Sequence, residues 1–209
     1  IIEIGAVVID RYGAVVAGFE TFVAQEPEIL DHPISMGAFA IHQIPTKDII
    51  RFGLTEESAA IQFAEWISTA ERVYGVTCIR AYNNGFDITR ISNNPFHLFD
   101  RLDIKVGECI MLASLPPMIA KGVAIRSPDF FQRKFDYQGL EDLDPDRFKW
   151  PKAIEATKFF QSLGYQFPEG VEHRALSDSI REAAIAVAIQ SESLISLGLL
   201  EEKISLTVS

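Results

Sequence analysis

The chain has 209 residues, of which 48% are hydrophobic and 23% are charged, and its formal net charge is −10. This size and composition predict one soluble globular domain with a substantial core. The excess of acidic residues argues against a broad electrostatic grip on nucleic acid, but it is compatible with an enzyme that holds a few nucleotides through divalent cations.

The sequence shows no leader peptide and no apolar run of membrane-spanning length, so we expect no membrane partner. Its two cysteines, Cys78 and Cys109, lie in apolar, strand-like surroundings. We expect them to be reduced core residues, because two such cysteines form neither a disulfide framework nor a metal-binding set. This pattern predicts a cytoplasmic protein.

The first 24 residues predict a β-hairpin. Residues 1–10 are β-branched and nearly all apolar, as expected for a strand that is buried on both faces. Residues 10–13 supply a turn with a glycine, and residues 14–24 return as a second strand with alternating apolar positions.

Residues 25–54 are predicted to be irregular, because three prolines interrupt any long element. Within this stretch His42 lies between isoleucines. The simplest interpretation is a loop histidine beside side chains that enter the core.

The middle of the chain predicts a helix, a buried strand and then a polar loop. Thr55 is a candidate N-cap for the helix, and residues 77–82 form the strand. The loop that follows leads into Asp87, and α/β sheets bind ligands at this end of a strand. We expect Asp87 at the start of the next helix, where an aspartate that only caps the helix is a common alternative.

The following segment is predicted to contain a strand over residues 103–113 and then a long insertion or lid over residues 115–150. A helix is expected from the Trp-Pro pair at 150–151 to about residue 164, and a polar tail after residue 200.

Residues 172–190 carry the strongest functional signal. Apolar residues recur at helical spacing from Leu176 onward, which places Asp178 in the first turn of an amphipathic helix. His173 lies just before that turn, on a loop. The two side chains can then point into one cleft, although a surface histidine beside a helix-start aspartate is the alternative.

Four segments, taken in order, resemble the motifs of the DnaQ-like or RNase T-like 3′–5′ exonucleases, in the branch called DEDDh. Residues 1–10 resemble the family's IIEIGAV strand, and residues 41–44 resemble its iHGI loop with glutamine in place of glycine. Residues 81–87 resemble its AHNxxFD motif with tyrosine in place of the histidine, and residues 173–178 resemble HRAxxD.

The resemblance implies a ribonuclease H-like α/β fold, with a mixed central sheet flanked by helices, as one domain over residues 1–209. The family's first motif, Asp-x-Glu on the central strand just before residues 1–10, is absent from the sequence. We therefore expect the sheet to lack its first central strand and to present two unpaired strand edges. Glu3 is the acidic residue nearest to the missing motif. The family usually has a glutamate at this point in addition to the Asp-x-Glu pair, so the resemblance implies that Glu3 lies beside the site and does not replace that pair.

The resemblance also implies two divalent metal ions, Mg²⁺ or Mn²⁺, since a pair of hard cations binds the attacking and leaving oxygens of a phosphodiester. Asp87 and Asp178 would be metal ligands, and His173 would be the general base that deprotonates the attacking water. Three further residues would contact or shape the substrate cleft, the last of them by packing: His42, Asn83 and Phe86.

The implied activity is hydrolysis at the 3′ end of single-stranded DNA or RNA, with release of nucleoside monophosphates. A polymerase or a second copy of the chain are the protein partners that such an activity suggests. A non-catalytic nucleic-acid-binding or scaffold module with the same fold is the alternative. The presence of His173, Asp87 and Asp178 favours the enzyme, because a module without catalysis has no physical need for a base and two cleft acids.

Overall fold

The computed structural model describes residues 1–26, 29, 33–93, 97, 102–124, 148–169 and 174–208. Within these ranges the protein is mixed α/β. The greater part of the predicted insertion over 115–150 lies outside the described residues, and so does His173.

The described part contains two small sheets and several helices. The strands are β1 (Glu3–Ile9), β2 (Ala14–Phe22), β3 (Cys78–Ile79), β4 (Lys105–Val106) and β5 (Thr207–Val208). The helices are α1 (Pro33–His42), α2 (Thr46–Phe52), α3 (Glu56–Tyr74), α4 (Asn84–Ser92), α5 (Ile110–Ala120), α6 (Ala153–Ser162) and α7 (Ala175–Ser196). One sheet has the strand order β1-β2-β5, and β3 and β4 pair in parallel as the other.

The predicted hairpin is confirmed. β1 and β2 are antiparallel, and the Asp10 carboxylate closes the turn by accepting the N–H groups of Tyr12 at 2.8 Å and Ala14 at 2.9 Å. Gly13 has a φ of +81°, a left-handed conformation that glycine adopts without steric cost.

Helices α3 and α7 cover opposite faces of β1. Ile4 belongs to a core cluster with Phe63 of α3. Val7 and Ile9 pack instead near Val187 of α7. This alternation follows from the two-residue period of a strand.

The α3 cluster also reaches the second sheet, through Ile79 and Ile104. The two sheets therefore share a helical layer, although the described strands form no ladder between them. β1 and the β3–β4 pair each keep an edge without a strand partner among the described residues.

The open edge of β1 faces away from β2. The carbonyl of Ile2 accepts the N–H of Val23, so the backbone groups of every second residue point toward β2. Those of Gly5 point the other way, and its carbonyl accepts the Ser179 hydroxyl of α7 at 2.8 Å.

The predicted helix after Thr55 is confirmed as α3. The Thr55 hydroxyl caps it by accepting the N–H of Ser58 at 3.2 Å, and Gly75 ends it in a left-handed conformation. Helices α4, α6 and α7 likewise occur where the sequence predicts them, with Asp87 and Asp178 in the first turns of α4 and α7.

The prediction of irregular structure over residues 25–54 is wrong, because this segment contains α1 and α2. Pro33 is the first residue of α1, and Pro45 is the N-cap of α2. Proline is well tolerated at a helix start, where its missing N–H would have no intrahelical partner. The prolines delimit helices here instead of excluding them.

The prediction of a strand over residues 103–113 is also wrong. Only Lys105 and Val106 form a strand, and α5 begins at Ile110 and includes Pro116 and Pro117. A short apolar run without clear periodicity does not distinguish a buried strand from a buried helix. Burial against α6 and α7 makes this segment helical.

Two smaller predictions also change. The tail after residue 200 buries Leu206 and adds β5 to the first sheet, parallel to β2. Both cysteines are free, but Cys78 is exposed and Cys109 is only half-buried, so Cys78 is not a core residue. Among the described helices, none is both long and apolar enough to cross a membrane.

Candidate functional site

The N-terminus of α7 is seated directly on β1. A Cβ atom added to Gly5 would overlap the backbone of Ala175 and Leu176. Only a glycine at this point of the strand permits such a close approach of the helix. The contact fixes where the first turn of α7, and therefore Asp178, lies relative to the sheet.

Glu3 secures the same junction from the adjacent position of β1. One of its carboxylate oxygens accepts two hydrogen bonds from the Arg174 guanidinium at 2.9 and 2.7 Å, and the other accepts the N–H of Ala175 at 2.9 Å. These bonds raise the pKa of Arg174 above its ordinary value. The Glu3 carboxylate therefore holds this junction together.

Asp178 lies in the first turn of α7, where the helix dipole favours a negative charge. Its carboxylate pairs with Arg181 of the next turn at 3.2 Å and is partly open to solvent. This pairing lies along one helix, between residues three positions apart.

The β3–α4 loop, residues 80–83, leads into Asp87, which lies in the first turn of α4. Its residue Asn83 is exposed, and the Asn83 carbonyl accepts the N–H groups of Phe86 at 2.8 Å and Asp87 at 3.1 Å, which starts α4. Asp87 retains exposed surface, yet the protein around its carboxyl raises its pKa, and backbone hydrogen bonds oppose that rise. A carboxyl of this kind has lost part of its hydration.

Glu182 of α7 joins this helix to the β3–α4 loop. Its carboxylate accepts the N–H of Tyr82 at 3.2 Å, across a separation of 100 residues in the sequence. Burial raises the pKa of Glu182 to about 7, and the charge of Asp87 and, less strongly, that of Asp178 add to the increase. Asp87 and Asp178 therefore both lie within electrostatic reach of one nearly buried carboxyl.

His42 lies in another part of the structure, at the end of α1. Its Nδ1 accepts the N–H of Ile44 at 3.0 Å, so a neutral ring carries its proton on Nε2. Burial lowers the pKa of His42, and the nearby charge of Glu3 opposes that change. The loop placement predicted for His42 is wrong, because His42 is the last residue of α1. Its nearest charged neighbour in β1 is Glu3.

Phe86 differs from its prediction. It does not shape the cleft by packing, since 57% of its surface is exposed. The guanidinium of Arg90 lies over its ring at 5.1 Å from the centroid. Phe86 and Arg90 together form an exposed aromatic and cationic surface one residue away from Asp87.

The charges of Asp87 and Asp178 thus both act on Glu182, and the charge of Glu3 acts on His42. His173 lies outside the described residues, so its predicted position stays a prediction. Asn83 is at the start of the helix that carries Asp87, as the motif suggests.

Two functional residues escaped the sequence reasoning. Glu182 follows Asp178 by one helical turn within an otherwise apolar run, and that spacing of two acids on one face was a readable signal. Asn84 holds the β3–α4 loop, because its side chain accepts the N–H of Ala81 and donates to the carbonyl of Gly107, both at 2.8 Å. A second asparagine in a polar loop gives no comparable signal in the sequence.

The donor chemistry of the site suits a hard cation, since Asp87, Asp178 and Glu182 offer only carboxylate oxygens. Within the described ranges, no group of three or more His, Cys, Asp or Glu side chains is arranged closely enough to hold a metal ion. The two aspartates are therefore candidate ligands for part of a metal site.

Comparisons of the chain with models of protein families, with curated proteins and with solved structures found no match. The likeness to the exonucleases consequently rests on the sequence motifs alone.

Proposed function

We propose that the chain is a metal-dependent 3′–5′ exonuclease of the DEDDh type, which hydrolyses the 3′ ends of single-stranded DNA or RNA. The observation that carries this proposal is the hydrogen bond from the Tyr82 N–H to Glu182, which ties the helix of Asp178 to the loop that leads into the helix of Asp87. These aspartates come from two separate motifs, and the charges of both raise the pKa of Glu182.

Hydrolysis of a phosphodiester requires neutralisation of its negative charge and a deprotonated water as the nucleophile. Divalent cations supply the first when they are bound. Asp87 and Asp178 provide carboxylate oxygens for them, and the positive end of the α7 dipole lies beside Asp178 without cancelling its charge. His173 accepts the proton of the attacking water, a role that suits an imidazole near neutral pH.

The exposed pair of Phe86 and Arg90 supports the substrate assignment. An aromatic face can stack on any base, and a guanidinium beside it adds attraction for the phosphate backbone. Because this surface adjoins Asp87, a terminal nucleotide that stacks there has its phosphodiester near the acids. His42 is the second contact that we assign to the terminal nucleotide.

The ribonuclease H-like fold is part of the same proposal. The mixed α/β architecture is compatible with it, and the α3 cluster joins β1 to the β3–β4 pair.

The test is an assay of single-stranded DNA and RNA oligonucleotides labelled at the 5′ end, with Mn²⁺ or Mg²⁺ and with an EDTA control. It uses residues 1–209 and the full-length product of the source gene. We expect metal-dependent stepwise shortening, and we expect Asp87→Asn or Asp178→Asn to slow it on the order of a hundredfold, since metal stabilisation is worth several kcal/mol. His173→Ala should slow the shortening to a similar extent.

Asp48→Asn is the matched control, because Asp48 also lies in the first turn of a helix but far from both motifs in the sequence. It should leave the rate unchanged. A folded full-length protein that binds oligonucleotides without shortening them on any metal would refute the exonuclease and establish the non-catalytic binding module.

A further inference from the structure

Glu182 connects α7 to the β3–α4 loop. It is the residue of α7 that accepts a backbone hydrogen bond from the β3–α4 loop, at Tyr82. It occupies the same helix face as Asp178, one turn further along. The carboxylate therefore joins the element that carries one aspartate to the segment that carries the other.

The bonded segment is short and stiff. Tyr82 is buried, its hydroxyl donates to the carbonyl of Pro151 at 2.9 Å, and its own carbonyl accepts the N–H of Met111 at 2.9 Å. The carbonyl of the next residue, Asn83, accepts a hydrogen bond from the N–H of Asp87 at 3.1 Å. The hydrogen bond to Glu182 and the one that fixes the backbone of Asp87 are thus made by consecutive residues.

From this geometry we propose that Glu182 is a positioning residue, which sets the separation of Asp87 and Asp178 through its hydrogen bond to the N–H of Tyr82. The inference rests on the proposed function, because it concerns the spacing of two metal ligands. Partners of this kind commonly determine how well a ligand set fits its cation.

The charge of Glu182 is not what the proposed role requires. A neutral glutamine in the same rotamer offers the same acceptor oxygen to the Tyr82 N–H. A methionine fills nearly the same space and suits a helix, but it offers only a weak sulfur acceptor. Glu182→Gln and Glu182→Met therefore separate positioning from charge while both keep the core filled.

The experiment measures Mn²⁺ binding by calorimetry and the exchange rate of the Tyr82 amide by NMR, in the full-length protein. With Glu182→Met we expect Mn²⁺ affinity to fall at least about tenfold, which is the usual cost of losing such a partner, and the Tyr82 amide to exchange faster. Glu182→Gln should retain both the affinity and the protection of the amide.

Glu192→Met is the matched control. Glu192 lies on the same helix and its carboxylate also accepts a hydrogen bond, from the Tyr165 hydroxyl at 2.8 Å, but it is several turns from Asp178. It should not change Mn²⁺ affinity.

The inference is overturned if Glu182→Met binds Mn²⁺ as tightly as the parent protein, or if Glu182→Gln binds it as weakly as Glu182→Met. The second result would show that the charge, and not the hydrogen bond, matters. A parent protein that binds no Mn²⁺ would instead refute the proposed function itself, so the two failures are distinguishable.

Discussion

At the scale of single residues, Glu3 shows how a buried carboxylate can serve structure beside a site. Its side chain is 5% exposed and carries three hydrogen bonds, two of them from a guanidinium. Bonds to charged groups are stronger than neutral ones, and a buried donor without its partner is costly. Glu3 thus stabilises the junction of β1 and α7.

We predict that Glu3→Gln lowers the free energy of unfolding by about 2 kcal/mol, because a neutral amide loses the charge-assisted bonds to Arg174. Urea unfolding measures this change. Glu20→Gln is the control: Glu20 lies 3.7 Å from the same guanidinium but is 41% exposed, so its loss should cost less than about 1 kcal/mol. Equal effects of the two substitutions would contradict the role given to Glu3.

Glu182 should make stability depend on pH. Its pKa rises from the ordinary value of 4.5 to about 7 on folding, so the folded state binds the proton more tightly than the unfolded state. Its contribution therefore favours folding below pH 4.5, falls as the pH rises toward 7, and is constant above that. The full loss is about 3 kcal/mol, from the energy of one pKa unit.

The measurement compares urea unfolding of the parent and of Glu182→Gln between pH 4 and 9 in EDTA. Groups other than Glu182 titrate in both proteins, so they largely cancel in the difference. We expect the glutamine variant to gain stability relative to the parent as the pH rises from about 4.5 to about 7. Parallel pH profiles would show that Glu182 ionises normally.

At the scale of elements, the crossing of β1 and α7 depends on the absence of one side chain. We predict that Gly5→Ala costs about 3 kcal/mol of folding stability, because its Cβ would overlap the helix backbone, which cannot move aside like a flexible side chain. Gly18→Ala, on β2, is the matched control. A Cβ there would meet Leu176 at an ordinary 3.6 Å.

Thermal unfolding checks this pair of variants, and the Gly5→Ala protein should also bind Mn²⁺ more weakly because α7 carries Asp178. Similar melting temperatures for the two variants would mean that the helix does not lie as close to the strand as described.

Elements with a strong local signal could be predicted from the sequence, and those decided by tertiary packing could not. Thr55 indicated the start of α3, because a hydroxyl N-cap accepts its hydrogen bond from within the first turn of the helix. In contrast, Ile110 begins a helix only because the surrounding helices bury it, and nothing local distinguishes that from a buried strand.

The residues of the candidate site also differ in how far they could be predicted from the sequence. Asp87 and Asp178 were predicted because each lies in a motif at a helix start, and the structure places them so. Glu182 was missed because its role depends on Tyr82, a residue distant in sequence. At Gln43, where the family motif has glycine, the backbone has a positive φ of 53°, so the motif's preference has a conformational basis that the letters alone do not show.

At the scale of the whole molecule, the two sheets are joined by shared helices and not by strand pairing. One core cluster includes Ile4 and Phe19 from one sheet and Ile79 from the other, all around α3. Such a shared cluster should make the sheets unfold together.

We predict that Phe63→Leu, which trims a side chain of that cluster, destabilises the protein by about 1 to 2 kcal/mol. The amides of Ala6 in β1 and Gly107 beside β4 should then lose protection from hydrogen exchange by the same factor, because both open through global unfolding. Loss of protection at Ala6 alone would mean that the sheets unfold independently.

The junction of Glu3 with Arg174 and Ala175 has a consequence for how the chain acquires its structure during synthesis. The contact spans 171 and 172 residues, so the first strand emerges long before the helix that covers it. Until that helix has been made, the apolar face of β1 is exposed and its open edge can pair with other chains. Contacts of such long range also slow folding. We therefore expect truncations that remove α7 to yield insoluble protein rather than a smaller folded domain.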